Sequence, residues 1–112
     1  TWTASAYGPG LWGNVVYCTG RTLPRSFRLQ RSTVGIARRD ARRSCGSVWL
    51  VCFRNRCERA AVIDAGPFVR GRDVDLTDAH VQRLGVRPTA TASASRVWGV
   101  RDVRVRCVRR CP

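Results

Sequence analysis

The sequence predicts a mainly β domain: a small closed barrel of six or seven short strands with one short helix, stapled by disulfides. Three observations point there. Short β-prone runs alternate with turn residues, only one stretch has helical spacing, and six cysteines lie in a chain of 112 residues. That length reads as one domain, residues 1–112. A core of this size buries limited surface per residue, so crosslinks have an evident use.

The first run is "TWTASAYG", followed by the turn-rich "GPGLWGN". Then come "STVGIA", "SVWLVCF", "ERAAVID", "SRVWGV" and "DVRVRCV". The last alternates, with Val103, Val105 and Cys107 on one face and Arg104, Arg106 and Val108 on the other. That period of two is the mark of a half-buried strand. Only "LTDAHVQRLG" reads as helix, with Leu76, His80 and Leu84 four apart. Thr77 or Asp75 caps its start, and Gly85 ends it. "TATASAS" (residues 89–95) reads as a surface loop. Several strands with one helix fit a small barrel.

Cys18, Cys45, Cys52, Cys57, Cys107 and Cys111 have no histidine at metal-binding spacing, and the lone His80 is far from every cysteine pair. Disulfides are therefore expected rather than zinc, with no metal or other cofactor. Disulfides imply an oxidising, extracellular location. Six cysteines permit fifteen pairings, and sequence does not choose among them. Cys52 and Cys57 flank "FRNR" between two strand-like runs, where a bridge would staple a hairpin. Cys107 and Cys111 can close a loop only if the chain turns, because residues four apart in a straight strand are about 13 Å apart, beyond disulfide reach. Cys18 with Cys45 would then tie an early loop to the middle of the chain.

The net charge is +14, and all 21 basic residues are arginine. Such a chain attracts polyanions: nucleic acid, an anionic cell-wall polymer or an acidic protein partner. Its densest basic cluster is "RRDARR" (residues 38–43), first a solvated loop and second a polyanion contact. Nucleic acid has only charge in its favour, since no recognition motif is present and the aromatics are not interleaved with the basic cluster. No apolar run approaches the length of a membrane span. The start at Thr1, without Met or an apolar leader, reads as a mature or excised domain.

Two stretches carry a family resemblance. "ASAYGPGLWGN" resembles the opening of RlpA-like domains: a strand, a Tyr-Gly pair and a Gly-rich loop. "VIDAGPFVRGRDVDLTDAHVQRLG" resembles their most distinctive segment, an Asp-Arg-Gly-Pro-Phe stretch, then Gly-Arg, then Asp-Leu-Ser/Thr and a short helix ending in Leu-Gly. The likeness runs from about Thr3 to Val105. It implies a six-stranded double-psi β-barrel, the fold of expansins, barwin-like proteins and some small cellulases, and a secreted protein of bacterial or phage origin. Cys18 and Cys45 fall where secreted relatives often carry a bridge.

The resemblance also implies a glycan substrate. RlpA-like lytic transglycosylases cleave peptidoglycan strands, expansins loosen walls without hydrolysis, and the cellulase relatives use two aspartates. Asp64 matches the aspartate of Asp-Arg-Gly-Pro. Asp75 matches the one that opens Asp-Leu-Ser/Thr, the general-acid position of cellulase-like and expansin-like relatives. Tyr7 matches an aromatic that lines the groove. Two positions depart from the pattern: the family histidine is replaced by Arg38 or Arg39 within "GIARRDARRSCGS", and the motif arginine is Ala65.

Glycoside cleavage needs a carboxylic acid of raised pKa, and a second carboxylate as base or nucleophile makes a hydrolase. Asp64 and Asp75 are the candidate catalytic pair. Arg38, Arg39, Arg70 and Arg72 are candidate ligand contacts near the same groove. A guanidinium within about 4–6 Å lowers a carboxylate pKa, which would make either aspartate a poor acid. Trp12, in the Gly-rich loop, is a candidate for stacking on a sugar ring.

The plainer readings are a holding carboxylate for Asp64, a helix cap for Asp75, a solvated loop position for Asp73, partial burial for His80, core for Trp49, and a tight turn for Gly66 and Pro67. The expected function is a cell-wall glycan (peptidoglycan) binding or remodelling module, with lytic activity weak or lost through the missing histidine. The alternative is a non-enzymatic interaction protein, such as a secreted protease inhibitor or a component of an extracellular or virion assembly.

Overall fold

The computed structural model describes residues 1–7, 18, 20, 35–38, 41–65 and 69–112. In chain order the elements are β1 (Trp2–Tyr7), β2 (Gly35–Arg38), α1 (Ala41–Ser44), β3 (Val48–Phe53), β4 (Arg56–Ala65), β5 (Val74–Thr77), α2 (Asp78–Arg83), α3 (Ala94–Trp98) and β6 (Arg101–Arg109). The architecture is mainly β, a curled sheet with short helices, and each strand pairs with two others. The order β1-β5-β2-β4-β3-β6 returns to β1 through the antiparallel β1–β6 pair. Two pairings are parallel, β1 with β5 and β2 with β4.

β3 and β4 form a hairpin turning at Arg54-Asn55. Arg54 adopts a φ of 55° there, a conformation usually left to glycine. Cys52 and Cys57 face one another across the ladder and are bonded. Cys18–Cys45 and Cys107–Cys111 are the other bridges, and no cysteine is free. The chain does turn after β6, where Arg110 has a φ of 49° and the Cα atoms of Cys107 and Cys111 come within 5.8 Å.

The core collects the inward residues of the strands, among them Ala4, Val51, Val62, Val74, Leu76 and Val103. β6 shows the expected alternation, with Val103 buried between exposed Asp102 and Arg104. Trp98 is 1% exposed, and its Nε1 donates to the carbonyl of Ala4 at 3.0 Å. Trp49, expected in the core, lies half-buried at its edge against Trp2, with ring centroids 4.5 Å apart and planes tilted by 48°.

Three local readings need correction. Val74–Thr77 is a strand, so the helix starts at Asp78 rather than Leu76. Asp75 therefore caps nothing, and the hydroxyl of Thr77 accepts from the His80 amide as the true cap. The alternation of Val74 and Leu76 was too short to stand out beside the helical spacing that follows it. "SRVWGV" is not a strand: Ala94–Trp98 is helical, capped by Ser93, and takes in the end of the supposed surface loop. The cause is tertiary. Asp78 at the start of α2 accepts from both the amide and the hydroxyl of Ser95, which anchors α3 against α2. The short α1 was not foreseen either.

The end of α2 follows the sequence reading. Gly85 takes a φ of 98°, its amide bonds the Gln82 carbonyl, and the Val86 amide bonds that of Val81. These are the paired bonds of a Schellman stop, with Val81 and Val86 both buried beneath it. A side chain at Gly85 would also meet Arg56, whose Nε lies 3.1 Å from where the Cβ would be.

Candidate functional site

The segment "VIDAGPFVRGRDVDL" (residues 62–76) begins in β4 and ends in β5. β2 lies between these two strands and pairs with both. Ala37 of β2 is opposite Asp64 on one side and opposite Asp75 on the other. Asp75 is in turn opposite Ser5 of β1. One row across four strands therefore reads Ser5, Asp75, Ala37, Asp64.

A bulge creates this row. Ile36 pairs with Val62, but Ala37 pairs with Asp64, so Ile63 is skipped. Side chains alternate along a strand, and without the skip Asp64 would share a face with the buried Val62. The extra residue moves Asp64 to the face occupied by Asp75, which sits between buried Val74 and Leu76. Re-aiming a side chain is a common use of a bulge. The Ile63 carbonyl accepts from the Cys18 amide at 2.9 Å, and Cys18 is bonded to Cys45. The disulfide thus fastens a third segment beside the bulge.

Both aspartates are half-buried. Burial pushes the Asp75 carboxyl above its ordinary value; a hydrogen bond from the Ser5 hydroxyl and the charge of Arg72 pull it down, and the charge of Asp64 pushes it up. This corrects one expectation. Arg72 does act on Asp75 as an arginine should, but desolvation outweighs it, so the Asp75 pKa lies above its ordinary value. Arg70 is exposed at the turn and is not among the influences on Asp75. The side chains of Tyr7 and Arg38, together with Trp12, Arg39, Gly66 and Pro67, lie outside the described residues.

Asp73 is exposed as expected, yet it is not simply solvated. Its carboxylate accepts from the Thr3 amide at 2.9 Å, and its own amide donates to the Thr3 carbonyl at 2.8 Å. It continues the β1–β5 ladder and so sets the level at which Asp75 meets Ser5.

Ser5 and Asp78 were missed by sequence reasoning. Ser5 lies in a strand run where a serine carries no distinctive pattern. Asp78 is one of several acids in a short segment, and only its contact with the distant Ser95 marks it. Among the described residues no group of three or more His, Cys, Asp or Glu side chains is arranged to hold a metal ion. A carboxyl of raised pKa, with a second carboxylate one strand away, can donate a proton to an ether oxygen or hold a sugar hydroxyl.

The sequence matches no protein-family model and no curated protein. The fold has counterparts among solved structures. It is similar to an apo expansin from Clavibacter michiganensis, with a TM-score of 0.65 and 16% identity over 99% of this chain and 50% of that one. The chain thus spans about half the length of that expansin. Cerato-platanin 2 from M. perniciosa gives a TM-score of 0.64 at 18% identity, and cerato-platanin 3 gives 0.62 at 13%. In both, 96% of this chain and 93% of the other are covered. At these identities the fold is what is shared.

Proposed function

We propose that residues 1–112 form one double-psi β-barrel domain of the RlpA/expansin-like kind that binds cell-wall glycan, with peptidoglycan the first ligand to test. The setting of this reading is extracellular and bacterial or phage. The observation that carries it is the bulge-made row Ser5–Asp75–Ala37–Asp64, in which burial raises the pKa of one carboxyl. The paired parallel strands and the expansin-like fold support it.

In this reading Asp75 and Asp64 form the polar centre. Arg70 and Arg72, with Arg38, Arg39, Tyr7 and Trp12 from the neighbouring segments, supply the surrounding contacts. Binding and loosening take precedence over lysis, because arginine stands where the lytic relatives have histidine.

The test incubates the protein with purified peptidoglycan sacculi and follows pelleting and release of soluble muropeptides, with Asp64→Asn and Asp75→Asn in parallel. Pelleting weakened by either substitution, without release, is the expected result. Release abolished by both would make the protein a lytic enzyme at the same centre. Pelleting indifferent to both substitutions and lost only at high salt would leave a diffuse basic surface. Neither pelleting nor release would overturn the glycan reading in favour of a protein partner.

A further inference from the structure

At the turn of the β3–β4 hairpin, far along β4 from Asp64, lies a recess of about 390 Å³. Arg54, Arg56, Arg87 and Arg101 line it together with Phe53 and Gly85, and among the described residues no acidic one does. Among the described residues the ion pair of this region joins Arg83 to Glu58, and none reaches these four arginines. The charge of the recess is therefore not neutralised from within.

Three of the arginines, Arg54, Arg56 and Arg101, make contacts that position them. Arg101 donates from Nε to the Trp98 carbonyl at 2.9 Å and from Nη2 to the Val97 carbonyl at 3.3 Å. Its guanidinium lies 5.4 Å from the ring centre of Phe53 and 5.3 Å from that of Trp98. The Arg54 guanidinium lies 5.1 Å from the same Phe53 ring. Arg104 donates to the Arg54 carbonyl at 2.6 Å and secures the turn. Arg56 rests against Gly85, where no side chain fits without displacing it. Two cations share one aromatic ring, and among the described residues that line the recess no carboxylate balances them.

We propose that this recess is a binding site for the phosphate groups of a polyol-phosphate chain of the cell wall. Arginine forks match phosphate oxygens two at a time, and fixed guanidinium groups lose little freedom on binding. The recess argues against nucleic acid. Single strands are held by bases stacked on open aromatic faces, whereas Phe53 is engaged by two guanidinium groups and Trp98 is buried. The phosphate site stands on these contacts alone; the choice of polymer rests on the wall-binding reading above.

The test titrates the intact domain with a synthetic glycerol-phosphate oligomer and, separately, with an oligothymidylate of equal charge, at two salt concentrations. The variants are Arg54→Gln/Arg87→Gln in the recess and Arg59→Gln/Arg106→Gln, two exposed strand positions outside it. Both remove the same charge. The expected result is a loss of at least about tenfold in glycerol-phosphate affinity for the recess pair and less than about twofold for the control pair, with a shallower salt dependence only in the former. Equal losses in both pairs would reduce the site to overall charge and overturn the proposal. Tighter binding of the oligothymidylate, lost in the recess pair, would overturn the polymer assignment in favour of nucleic acid. Asp75→Asn serves as a further control: it should leave this titration unchanged while affecting sacculus pelleting, so the two sites fail independently.

Discussion

The hydroxyl of Ser5 on β1 donates to the carboxylate of Asp75 on β5, and this bond opposes the burial that drives Asp75 toward protonation. Removing the donor should therefore raise the Asp75 pKa further. Asp64→Asn should lower it, because a repelling charge is lost. Carboxyl-carbon NMR titration of Asp75 in Ser5→Ala and Asp64→Asn reads both directions. Shifts of the same sign in the two variants would disprove the row.

His80 gives the fold an acid-sensitive point. It is fully buried, neither ring nitrogen has a hydrogen-bond partner, and burial, aided by Arg83, pushes its pKa down to about 3. An unfolded histidine takes up its proton near pH 6.5. Between these values the unfolded chain holds a proton that the folded one does not, so stability must fall as pH drops from about 6.5 toward about 3. The limiting slope is about 1.4 kcal/mol per pH unit. Urea unfolding across this range should show the fall in the native chain and a flatter profile in His80→Leu. Parallel profiles would mean that carboxylates alone govern the acid response.

Trp98 joins α3 to β1 through its bond to the Ala4 carbonyl. Trp98→Phe keeps most of the packing but strands that carbonyl in the core, at a cost of about 1–3 kcal/mol. Trp98→Ala adds a cavity and should cost about 3–5 kcal/mol. The difference between the two urea midpoints separates the hydrogen bond from the packing. A Trp98→Phe variant as stable as the native chain would mean that the indole N–H contributes nothing.

The bridges should not be equivalent. Cys18–Cys45 closes a separation of 27 residues, against 5 for Cys52–Cys57 and 4 for Cys107–Cys111. Loop entropy assigns about 3.5 kcal/mol to the first and about 2 kcal/mol to each short bridge. Paired Cys→Ser substitutions and thermal melts give the ranking. A larger loss at Cys107–Cys111 than at Cys18–Cys45 would contradict it.

Much of the strand content was legible because alternation is a local signal. Val103 and Val105 mark β6, and the runs around Val51 and Val62 mark β3 and β4, each within its own few residues. β5 was not, since four residues carry little period and the helix behind it has more. α3 was read as a strand because "SRVW" is β-prone by composition, and the contact that makes it helical lies on Asp78, 17 positions away from Ser95. The candidate aspartates were legible through a motif, but their alignment in one row was not. That depends on a skipped residue, Ile63, whose carbonyl accepts a backbone bond from Cys18. No periodicity within β4 records a partner from another part of the chain. The direction of the Asp75 shift was missed for a related reason: arginines can be counted in a sequence, whereas desolvation cannot.

The three disulfides join cysteines that follow one another along the chain, and no bridge spans another. Chance pairing of six thiols would produce this set about once in fifteen attempts. A chain oxidised in the order of its synthesis meets far fewer choices, because the right partner for each odd-numbered thiol is the next one to appear. Correct bonding can then follow from timing alone. No thiol has to wait for a distant partner, and no early bond has to be undone.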